Sequence, residues 1–331
     1  SKDFPAMVHG ALTSGQQAAA KVLKTTAKRV CVIGAGMAGM GAARDLVDAG
    51  LEDEVFEARD RIGGRTWTDH TLGLPMDLGA SWIHGPKGNP LTKLAKSQGV
   101  VRVKTDYEDV YALTPEGDPV ANGDIPDWVW EAFEVEQNYA MTRAKLSEEA
   151  FEEGEDLPGM DVVFPRGYEA LFPALTNGYE VKFNHAVEAV AWGDGVTFTA
   201  NGQGDTFDAV IVSLPIGILQ AGHVRFDPPL PNDKQDAIGR LGLGLLNKLY
   251  IKFNKPFWDE DKPWIMLAAD KQRPFSTWFN FTYVTGAPVL CAFTGADEAW
   301  DWEEKSDAEI LQAALDTLSG MYAKGGAHAG A

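Results

Sequence analysis

Three glycines at a fixed spacing follow the first apolar segment of the chain. Residues 29–33 read RVCVI, and Gly34, Gly36 and Gly39 then stand in the pattern GxGxxG. The apolar run is long enough for a fully buried strand, and small or apolar residues recur at helical spacing over residues 42–47. A strand, a glycine turn and a helix in this order place free backbone N–H groups at a helix start, where they bind phosphate. The spacing therefore predicts a site for the phosphates of a dinucleotide.

An acidic residue stands where a ribose-binding carboxylate would be needed. A second short apolar strand is predicted just before Glu57, about twenty residues after the glycines. In a dinucleotide-binding fold Gly34 forms the tight turn, Gly36 lets the pyrophosphate approach, and Gly39 packs the helix on the strand. The carboxylate of Glu57 would then accept a hydrogen bond from a ribose hydroxyl. The alternative is a glycine-rich packing turn without a ligand, but the combined features favour the nucleotide site.

A second pair of glycines distinguishes between two dinucleotides. After Glu57 the sequence continues as ARDRIGGRTW, which contains Gly63, Gly64 and Arg65. NAD needs no such segment, whereas a longer groove would use these backbone amides and the guanidinium group near the phosphates. The segment therefore favours an extended dinucleotide that lies along a longer groove.

Two further residues are candidates for catalysis. Lys248 stands in an apolar segment after Gly242 and Gly244, and a buried lysine is costly unless it is paired or has a function. The alternative is a lysine at a strand end that reaches solvent, as we expect for Lys252. His84 is isolated in the segment SWIHG, and a single histidine on its own is more often structural than functional.

The composition excludes several classes of function. The 331 residues carry a formal net charge of −19, without a basic stripe that could displace counterions from nucleic acid. The acidic surplus suits a cationic substrate, although solubility explains it equally well. The six histidines and two cysteines lack metal-ligand spacing, and no apolar run reaches the roughly 20 residues needed to span a membrane. We expect a soluble intracellular protein, in the cytoplasm or the peroxisome, with no metal.

Several motifs together resemble those of the flavin-containing amine oxidase family. The resemblance extends almost continuously from Lys28 to about residue 320. The motifs are, in chain order, VIGAGMAG, FEARDRIGGRTWT, MDLGASWIHG, FPRGYEAL, NHAVEAV, DAVIVSLPIGIL and VRFDPPLPNDKQDAIGRLGLGLLNKLYIKF. Within the family MDLGASWIHG is most similar to polyamine oxidases, and GLGLLNK is also similar to the lysine-specific histone demethylases.

The resemblance implies an α/β fold, with a Rossmann-like FAD-binding domain and a discontinuous α+β substrate domain. On the family's pattern, residues 1–88 and 164–228 form the FAD-binding domain, residues 89–163 and 229–322 form the substrate domain, and residues 323–331 are a flexible tail. It also implies FAD contacts at Gly34, Gly36, Ala38, Gly39, Glu57, Ala58, Arg59, Gly64, Arg65, Gly79, Ala80, Ser81, Trp82, Val187, Met7 and Val8.

The resemblance further implies oxidation of the C–N bond of a (poly)amine by O2, with an imine or aldehyde and hydrogen peroxide as products. Lys248 matches the family lysine that holds a water against flavin N5, and His84 matches the histidine that polyamine oxidases place beside the amine. Leu246 stands where some plant polyamine oxidases carry a tyrosine, so the preferred amine is left open. An L-amino acid oxidase-like enzyme and a flavin-fold fragment that is inactive unless complemented are the alternatives.

The first residues of the chain resemble the last motif of the family, a segment of the type YPATVHGALLSG. Here FPAMVHGALTSG occupies residues 4–15, and part of the family's C-terminal region has no counterpart. A circular permutation, a boundary between tandem copies and a piece cut from either would each explain this order, and a complementing chain or neighbouring repeat would then be a partner. We predict a helix over residues 4–24 that folds back beside the glycine-motif helix, with the N–H of Val8 towards the flavin.

The remaining pattern predicts elements that bear on the fold. Helices are expected over residues 91–98, 128–153 and 306–322, and within 230–245. Strands are expected over 181–200, 208–213 and 248–253. Paired strands are also expected over 100–111, with the turn at 115–117. An acidic cluster is predicted to be a solvated face, with an amine-attracting funnel as the alternative; it consists of Glu148, Glu149, Glu152, Glu153, Glu155 and Asp156.

Overall fold

The computed structural model describes residues 4–148 and 155–324. These residues form two compact units. The first consists of residues 4–101, 155–159 and 166–243, and the second of residues 102–148, 160–165 and 244–324. The division between the units falls at residues 101, 165 and 243, and residues 155–159 belong to the first unit. The limits at 88, 163 and 228 that the family resemblance implies for the FAD-binding and substrate domains stay a prediction. Which ligand each unit binds stays a prediction.

The first unit contains most of the short strands and the two small-residue helices. In chain order its elements are α1 (Val8–Val22), β1 (Arg29–Ile33), α2 (Met37–Asp48), β2 (Glu52–Phe56), β3 (Thr68–Asp69), β4 (Met76–Asp77), β5 (Trp82–Ile83), α3 (Pro90–Ser97), a 3₁₀ helix (Tyr168–Ala174), β10 (Val181–Lys182), β11 (Val187–Trp192), β12 (Val196–Ala200), β13 (Gln203–Phe207), β14 (Ala209–Val212), α6 (Ile216–Gln220), β15 (Arg225–Asp227) and α7 (Asn232–Arg240).

A parallel sheet with β1 at its centre organises this unit. The strand order is β10–β2–β1–β14, and every neighbouring pair is parallel. β1 is buried after its first residue, because the remaining residues of RVCVI are all apolar. α2 connects β1 to β2, so the predicted strand–helix–strand unit is confirmed. A second sheet, β13–β12–β11–β15, shares one apolar core with the first, in which Phe56 meets Phe198 at a ring-centroid distance of 4.4 Å.

The opening helix α1 packs directly on α2. A Cβ atom on Gly15 would lie 1.8 Å from the carbonyl oxygen of Ala38, and one on Gly41 would lie 2.6 Å from a methyl group of Leu12. Ala19 is fully buried in the core that also contains β1. Glycines are needed at this contact because two helix backbones approach each other without side chains between them. The prediction that this segment folds back beside the glycine-motif helix is confirmed.

The second unit is built on a larger mixed sheet. Its elements are β6 (Val103–Lys104), β7 (Val110–Leu113), β8 (Pro119–Val120), a 3₁₀ helix (Asn122–Asp124), α4 (Asp127–Glu131), a π-helical stretch (Ala132–Glu136), α5 (Gln137–Tyr139), a 3₁₀ helix (Arg143–Lys145), β9 (Val162–Val163), β16 (Leu246–Lys252), β17 (Trp264–Leu267), β18 (Thr277–Asn280), α8 (Phe281–Thr285), β19 (Val289–Gly295), α9 (Ala296–Glu303) and α10 (Asp307–Met321).

The sheet of this unit has the order β16–β19–β18–β17–β7–β8. All seven residues of β19 are buried, and its neighbours β16 and β18 are both antiparallel to it. The largest fully buried side chains here are those of Trp258 and Trp278, which lie in one apolar cluster with residues of α10. α10 begins with a capping box. The Ser306 side chain accepts from the Glu309 backbone N–H, and the Glu309 side chain accepts from the Ser306 backbone N–H. The helix predicted over 306–322 is therefore confirmed.

Two sequence-based expectations for this unit are wrong. The helix expected over 128–153 ends at Tyr139, since Ala140 has a positive φ of 55°. Ala140 accepts a hydrogen bond from the N–H of Leu245, and a Cβ on Gly244 would lie 2.0 Å from the Ala140 carbonyl oxygen. A contact with a distant segment thus ends the helix. The strands expected as a pair over 100–111 do not pair with each other, because β6 pairs with β9 and β7 with β17 and β8. The turn expected at 115–117 is confirmed, since it joins the antiparallel strands β7 and β8.

The acidic cluster falls partly outside the described residues. Glu148, Glu155 and Asp156 are exposed, as a solvated face requires, whereas Glu149, Glu152 and Glu153 lie outside the described part of the chain, as do residues 325–331 of the predicted tail. Among the described helices, none combines the length and apolar character required to cross a membrane. Within the same residues no group of three or more His, Cys, Asp or Glu side chains could hold a metal ion.

The contact between α1 and α2 predicts that replacing Gly15 by alanine destabilises the protein, whereas the same change at a helical glycine outside the contact does not. Gly15→Ala should lower the free energy of unfolding by about 1–3 kcal/mol, because the new methyl group meets the Ala38 carbonyl. Gly239→Ala in α7 is the control, since nothing lies within 4 Å of its Cβ position and the change should stabilise by up to about 1 kcal/mol. Urea unfolding measures both, and equal effects would contradict the packing of α1.

Asp53 in β2 predicts a pH-dependent stability. Both carboxylate oxygens are buried without a hydrogen-bond partner among the described residues, and burial raises the pKa of Asp53 to about 6. A pKa raised by folding stabilises the protein below the ordinary aspartate pKa of about 4, and this contribution is lost as the pH rises through 6.

Asp53→Asn should therefore stabilise the protein by about 1–2 kcal/mol at pH 7.5 and give no gain at pH 4. Thermal unfolding at the two pH values measures this difference. Glu52→Gln, the exposed neighbour on the same strand, is the control and should show no such difference. A stabilisation by Asp53→Asn that is equal at both pH values would show that the carboxylate is not charged at a buried site.

Candidate active site

Two of the three motif glycines are required by the packing of the protein itself. A Cβ on Gly39 would lie 1.8 Å from the Gly34 carbonyl oxygen, so the helix could not approach the strand. Gly34 has a positive φ of 99°, and a Cβ there would lie 2.7 Å from the hydroxyl of Ser213. The Ser213 hydroxyl in turn donates to the Ile33 and Gly34 carbonyl groups. These glycines therefore set the geometry of the turn, whether or not a ligand is bound.

Gly36 differs from the other two, because no protein atom needs the space beside it. The nearest atom to a Cβ at this position is the Gly63 carbonyl oxygen at 4.0 Å. Gly36 is the N-cap of α2, where neither a side-chain cap nor an acidic residue in the first turn is present. The first N–H groups of α2, including that of Ala38, have no acceptor within the helix. Open space beside uncapped N–H groups fits the pyrophosphate of a dinucleotide.

Glu57 is held at the edge of this turn by backbone donors. Its Oε2 accepts from the Ala35 N–H at 2.9 Å, and its Oε1 accepts from the Arg59 N–H at 3.0 Å. The side chain is half-buried, while Ala58 and Arg59 beside it are exposed. Each carboxylate oxygen can accept more than one hydrogen bond, so the group can also bind a ribose hydroxyl. The structure thus brings the predicted acid to the predicted glycine turn.

The second glycine pair lies against the first. The Gly63 N–H donates to the Ala35 carbonyl at 2.9 Å, and Gly36 and Gly63 form a parallel bridge. Gly64 has a positive φ of 59°, and a Cβ there would lie 3.3 Å from the Cα of Gly36. Arg65 is exposed, so its guanidinium group is available to a ligand.

Arg61 has a structural role that the sequence did not reveal. Its Nη1 donates to the Gly64 carbonyl at 3.0 Å, and its guanidinium group lies over the Trp67 ring, 4.4 Å from the centroid. Burial, followed by the charge of Arg59, lowers the pKa of Arg61. Arg61 therefore supports the loop that carries Gly63 and Gly64, here called the second glycine loop. Arg59 and Arg65, on either side of it in the sequence, are exposed.

The segment MDLGASW is held by one buried carboxylate. Asp77 accepts from the Thr68 hydroxyl at 2.6 Å and from the Tyr168 N–H at 2.9 Å, and it is only 4% exposed. A Cβ on Gly79 would lie 1.9 Å from the Arg65 carbonyl oxygen, which accepts from the Ala80 N–H at 3.0 Å. The segment is thus fixed to the second glycine loop.

The side chains at the end of this segment differ in what they contact. The Ser81 hydroxyl is buried and donates weakly to backbone carbonyls of its own turn, so its side chain has an internal partner. Trp82 is half-buried, and its carbonyl accepts from the Tyr168 hydroxyl at 3.3 Å. His84 follows directly after β5 and is half-buried. A ligand can therefore reach Trp82 and His84 by their side chains.

The remaining predicted contacts are backbone positions. The Val187 side chain is buried in the core between the two sheets, which leaves only its backbone for a ligand. Met7 is the N-cap of α1 and Val8 its first residue, with no side-chain cap and no acidic residue in the first turn. The start of α1 therefore offers free N–H groups and the positive end of the helix dipole.

Lys248 belongs to the second unit, whereas every other candidate residue belongs to the first. It is half-buried in β16 and pairs in register with Phe293, whose ring centroid is 5.8 Å from Nζ. Lys252, at the end of the same strand, is exposed, as expected for a lysine that reaches solvent. The two lysines therefore have different environments on one strand.

Sequence reasoning missed a buried amide beside His84. The Asn89 side chain is fully buried and caps α3 by accepting from the Leu91 N–H at 3.0 Å, and it donates to the His84 carbonyl at 3.0 Å. The only local signal is the dipeptide Asn89-Pro90, which is typical of a helix start. No sequence signal indicates the His84 contact.

Comparisons with known proteins agree with this geometry. The family model described as flavin containing amine oxidoreductase matches residues 37–158 and 129–330. Polyamine oxidase 2 of Arabidopsis thaliana is 31% identical over 346 residues, which cover 86% of this chain and 70% of that protein. Lysine-specific histone demethylase 1 homolog 2 of Oryza sativa subsp. japonica is 28% identical over 355 residues, which cover 89% of this chain and 46% of that protein.

A solved structure has the same fold. Putrescine oxidase with bound putrescine superimposes with a TM-score of 0.65 at 21% identity, over 89% of this chain and 81% of that chain. The family match confirms the predicted α/β fold class, the FAD cofactor and the oxidoreductase class, and the two alternative functions are not favoured. The glycine turn with its acid, the family match in two overlapping segments and the identity to polyamine oxidase 2 together show that the chain belongs to the family of flavin-containing amine oxidoreductases.

Proposed function

We propose that the chain oxidises the C–N bond of a small polyamine, with FAD as cofactor and O2 as the final electron acceptor. The observation that carries the proposal is the turn at Gly36, which is open beside uncapped N–H groups while Gly34 and Gly39 are closed by protein atoms. Relatives named polyamine oxidase and putrescine oxidase support a diamine or polyamine as the substrate class.

The first unit would hold the dinucleotide part of FAD. The carboxylate of Glu57 would accept from a ribose hydroxyl, and the first N–H groups of α2, at Ala38 and Gly39, would bind the pyrophosphate. The exposed guanidinium groups of Arg59 and Arg65 would neutralise phosphate charge. Further contacts are proposed at Ala58, Gly64, Gly79, Ala80, Ser81, Trp82 and Val187.

The start of α1 would act on the ring end of the cofactor. When bound, FAD accepts a hydride equivalent from the carbon next to the amine nitrogen and passes the electrons to O2. The free N–H groups at Met7 and Val8 would stabilise the negative charge that the ring gains on reduction. An acidic residue in the first turn of α1 would oppose this effect, and none is present.

Lys248 would bind a water molecule, and His84 would contact the amine substrate. The half-buried Lys248 would hold a water molecule by hydrogen bonding from its ammonium group, and its backbone is fixed by pairing in register with Phe293 of the buried strand β19. His84 would accept or donate one hydrogen bond to the amine, which must lose its proton before a hydride equivalent can leave the neighbouring carbon. The net charge of −19 would concentrate cationic amines near the protein.

Release of hydrogen peroxide from a panel of amines tests the function. Putrescine, spermidine and spermine should each be tried beside lysine and leucine, with anaerobic bleaching of the flavin absorption as a second signal. We expect peroxide and bleaching with at least one of the three polyamines and with neither amino acid. A flavin-loaded protein that is bleached only by amino acids would contradict the proposal.

Lys248→Met should slow flavin reduction or reoxidation by at least about tenfold while FAD stays bound, because the lysine acts on water and not on the phosphates. Stopped-flow absorbance under anaerobic and aerated conditions separates the two half-reactions. Lys252→Met, on the same strand but exposed, is the matched control and should leave both rates unchanged. Equal rates for the Lys248 variant and the native chain would show that Lys248 is only a strand residue.

Glu57→Ala should weaken FAD binding by about 1–3 kcal/mol, because a hydrogen bond between a ribose and a carboxylate is lost. Fluorescence titration of the flavin-free protein with FAD measures the change. Glu57→Gln keeps an oxygen for the Ala35 N–H, so it distinguishes a lost ligand contact from a disturbed turn. Undiminished affinity in both variants would exclude Glu57 from the site, and Asp60→Asn, which is exposed nearby, should leave affinity unchanged.

A further inference from the structure

The imidazole of His9 is a buried group that the proposed mechanism does not use. It stands in the first turn of α1, is only 4% exposed, and lies edge to face against Phe4 at a ring-centroid distance of 4.6 Å. Its Nδ1 is 3.2 Å from the Nδ2 of Asn89. Its Nε2 is also buried, and the described residues offer this nitrogen no hydrogen-bond partner.

The orientation of the Asn89 amide is determined by two other contacts. The Leu91 N–H can only donate, so the oxygen of the amide must face it, at 3.0 Å. The His84 carbonyl can only accept, so the nitrogen of the amide must face that group, also at 3.0 Å. Exchanging oxygen and nitrogen would break both bonds at a fully buried site. The second hydrogen of Nδ2 therefore points to Nδ1 of His9.

This orientation decides where the proton of His9 resides. Because Asn89 donates, the Nδ1 of His9 has to accept and carries no proton, so the neutral ring has its proton on Nε2. A proton on Nδ1 would point at the N–H of Asn89, so that two donors would face each other. Burial, followed by the neighbouring His84, lowers the pKa of His9, which agrees with a neutral ring. His9 is thus neutral at pH 7 and acts as an acceptor towards α3.

The Asn89 amide joins three segments that are far apart in the chain. It donates to the His84 carbonyl and so closes the loop over residues 84–89, and it also caps α3. Its contact with His9 connects the loop and α3 to α1. Without His9 the amide would keep two bonds and leave one buried N–H unpaired. The loop would then be less firmly held where His84 emerges from it.

We propose that His9 is a positioning residue, whose unprotonated Nδ1 fixes the Asn89 amide and thereby the place of His84. The proposal rests on the proposed function only for what His84 does to the amine. The contact itself holds whether or not an amine is oxidised. α1 would accordingly have two roles, one by its backbone at the flavin and one by this side chain at the loop of His84.

Nitrogen NMR of the imidazole rings tests the contact without any turnover. Six histidines give few signals, and single substitutions assign them. In the native chain at pH 7 we expect His9 to show an unprotonated Nδ1 and a protonated Nε2. Asn89→Asp replaces the donor by an acceptor, so the proton of His9 should move to Nδ1 or the ring should become charged. A protonated Nδ1 in the native chain would overturn the proposal.

A set of variants at position 9 tests the effect on His84. His9→Leu should shift the ring signals of His84, whereas His223→Leu, at an exposed histidine of the same unit, should leave them in place. His9→Asn keeps an acceptor near the position of Nδ1 and should restore the native His84 signals. Unchanged His84 signals in a folded His9→Leu variant would overturn the proposal.

Amine kinetics provide the last readout. With a polyamine that the native chain oxidises, His9→Leu should raise KM about tenfold or more, and His9→Asn should stay within about twofold of the native value. If no amine is oxidised, the function proposed above fails and the NMR results still decide the role of His9. A native KM in the His9→Leu variant would overturn the positioning role.

Discussion

Backbone packs directly on backbone around the first turn of α2, and the first unit depends on this constraint. Gly39 rests on the Gly34 carbonyl, Gly15 rests on the Ala38 carbonyl, and Gly36 lies beside Gly63. With no side chains between them, the strand, the second glycine loop and α1 have little freedom to shift against α2. A phosphate site needs N–H groups that do not have to reorganise when the anion arrives, and this packing would hold the N–H groups that we propose for that role.

Buried polar side chains hold the loops that surround this turn. Asp77 receives donors from β3 and from the start of a 3₁₀ helix, and Asn89 uses its amide for the loop of His84, for α3 and for α1. Such groups are costly to bury alone, but they give directional contacts once every donor and acceptor is paired. Asp53 is the contrasting case, since its carboxylate is buried without a partner among the described residues, and burial raises its pKa.

The groups proposed for the chemistry are divided between the two units. The first unit contains the uncapped starts of α1 and α2 and the carboxylate of Glu57, which we propose as contacts for a negatively charged cofactor. The second unit supplies Lys248 on a sheet whose neighbouring strand is wholly buried. Lys248 itself is half-buried on the edge strand of that sheet, and holding a water there is its proposed role. The acidic surplus of the chain suits the cationic amines of the proposed function, although solubility explains it equally well.

The amino-acid sequence by itself determined the features that depend on local spacing. The glycine turn with Glu57, the capping box at Ser306 and the small-residue face of α1 follow from residues close in the chain, so their patterns could be interpreted before any fold was known. Only the tertiary structure decided the end of the helix at Tyr139, the lack of a partner for Asp53 among the described residues, and the contact from His9 through Asn89 to His84. His9 and Asn89 are 80 residues apart, and no local propensity encodes a hydrogen bond across that distance. Such contacts arise when apolar burial brings distant segments together, because each buried polar group must then find its partner among whatever side chains that packing places beside it.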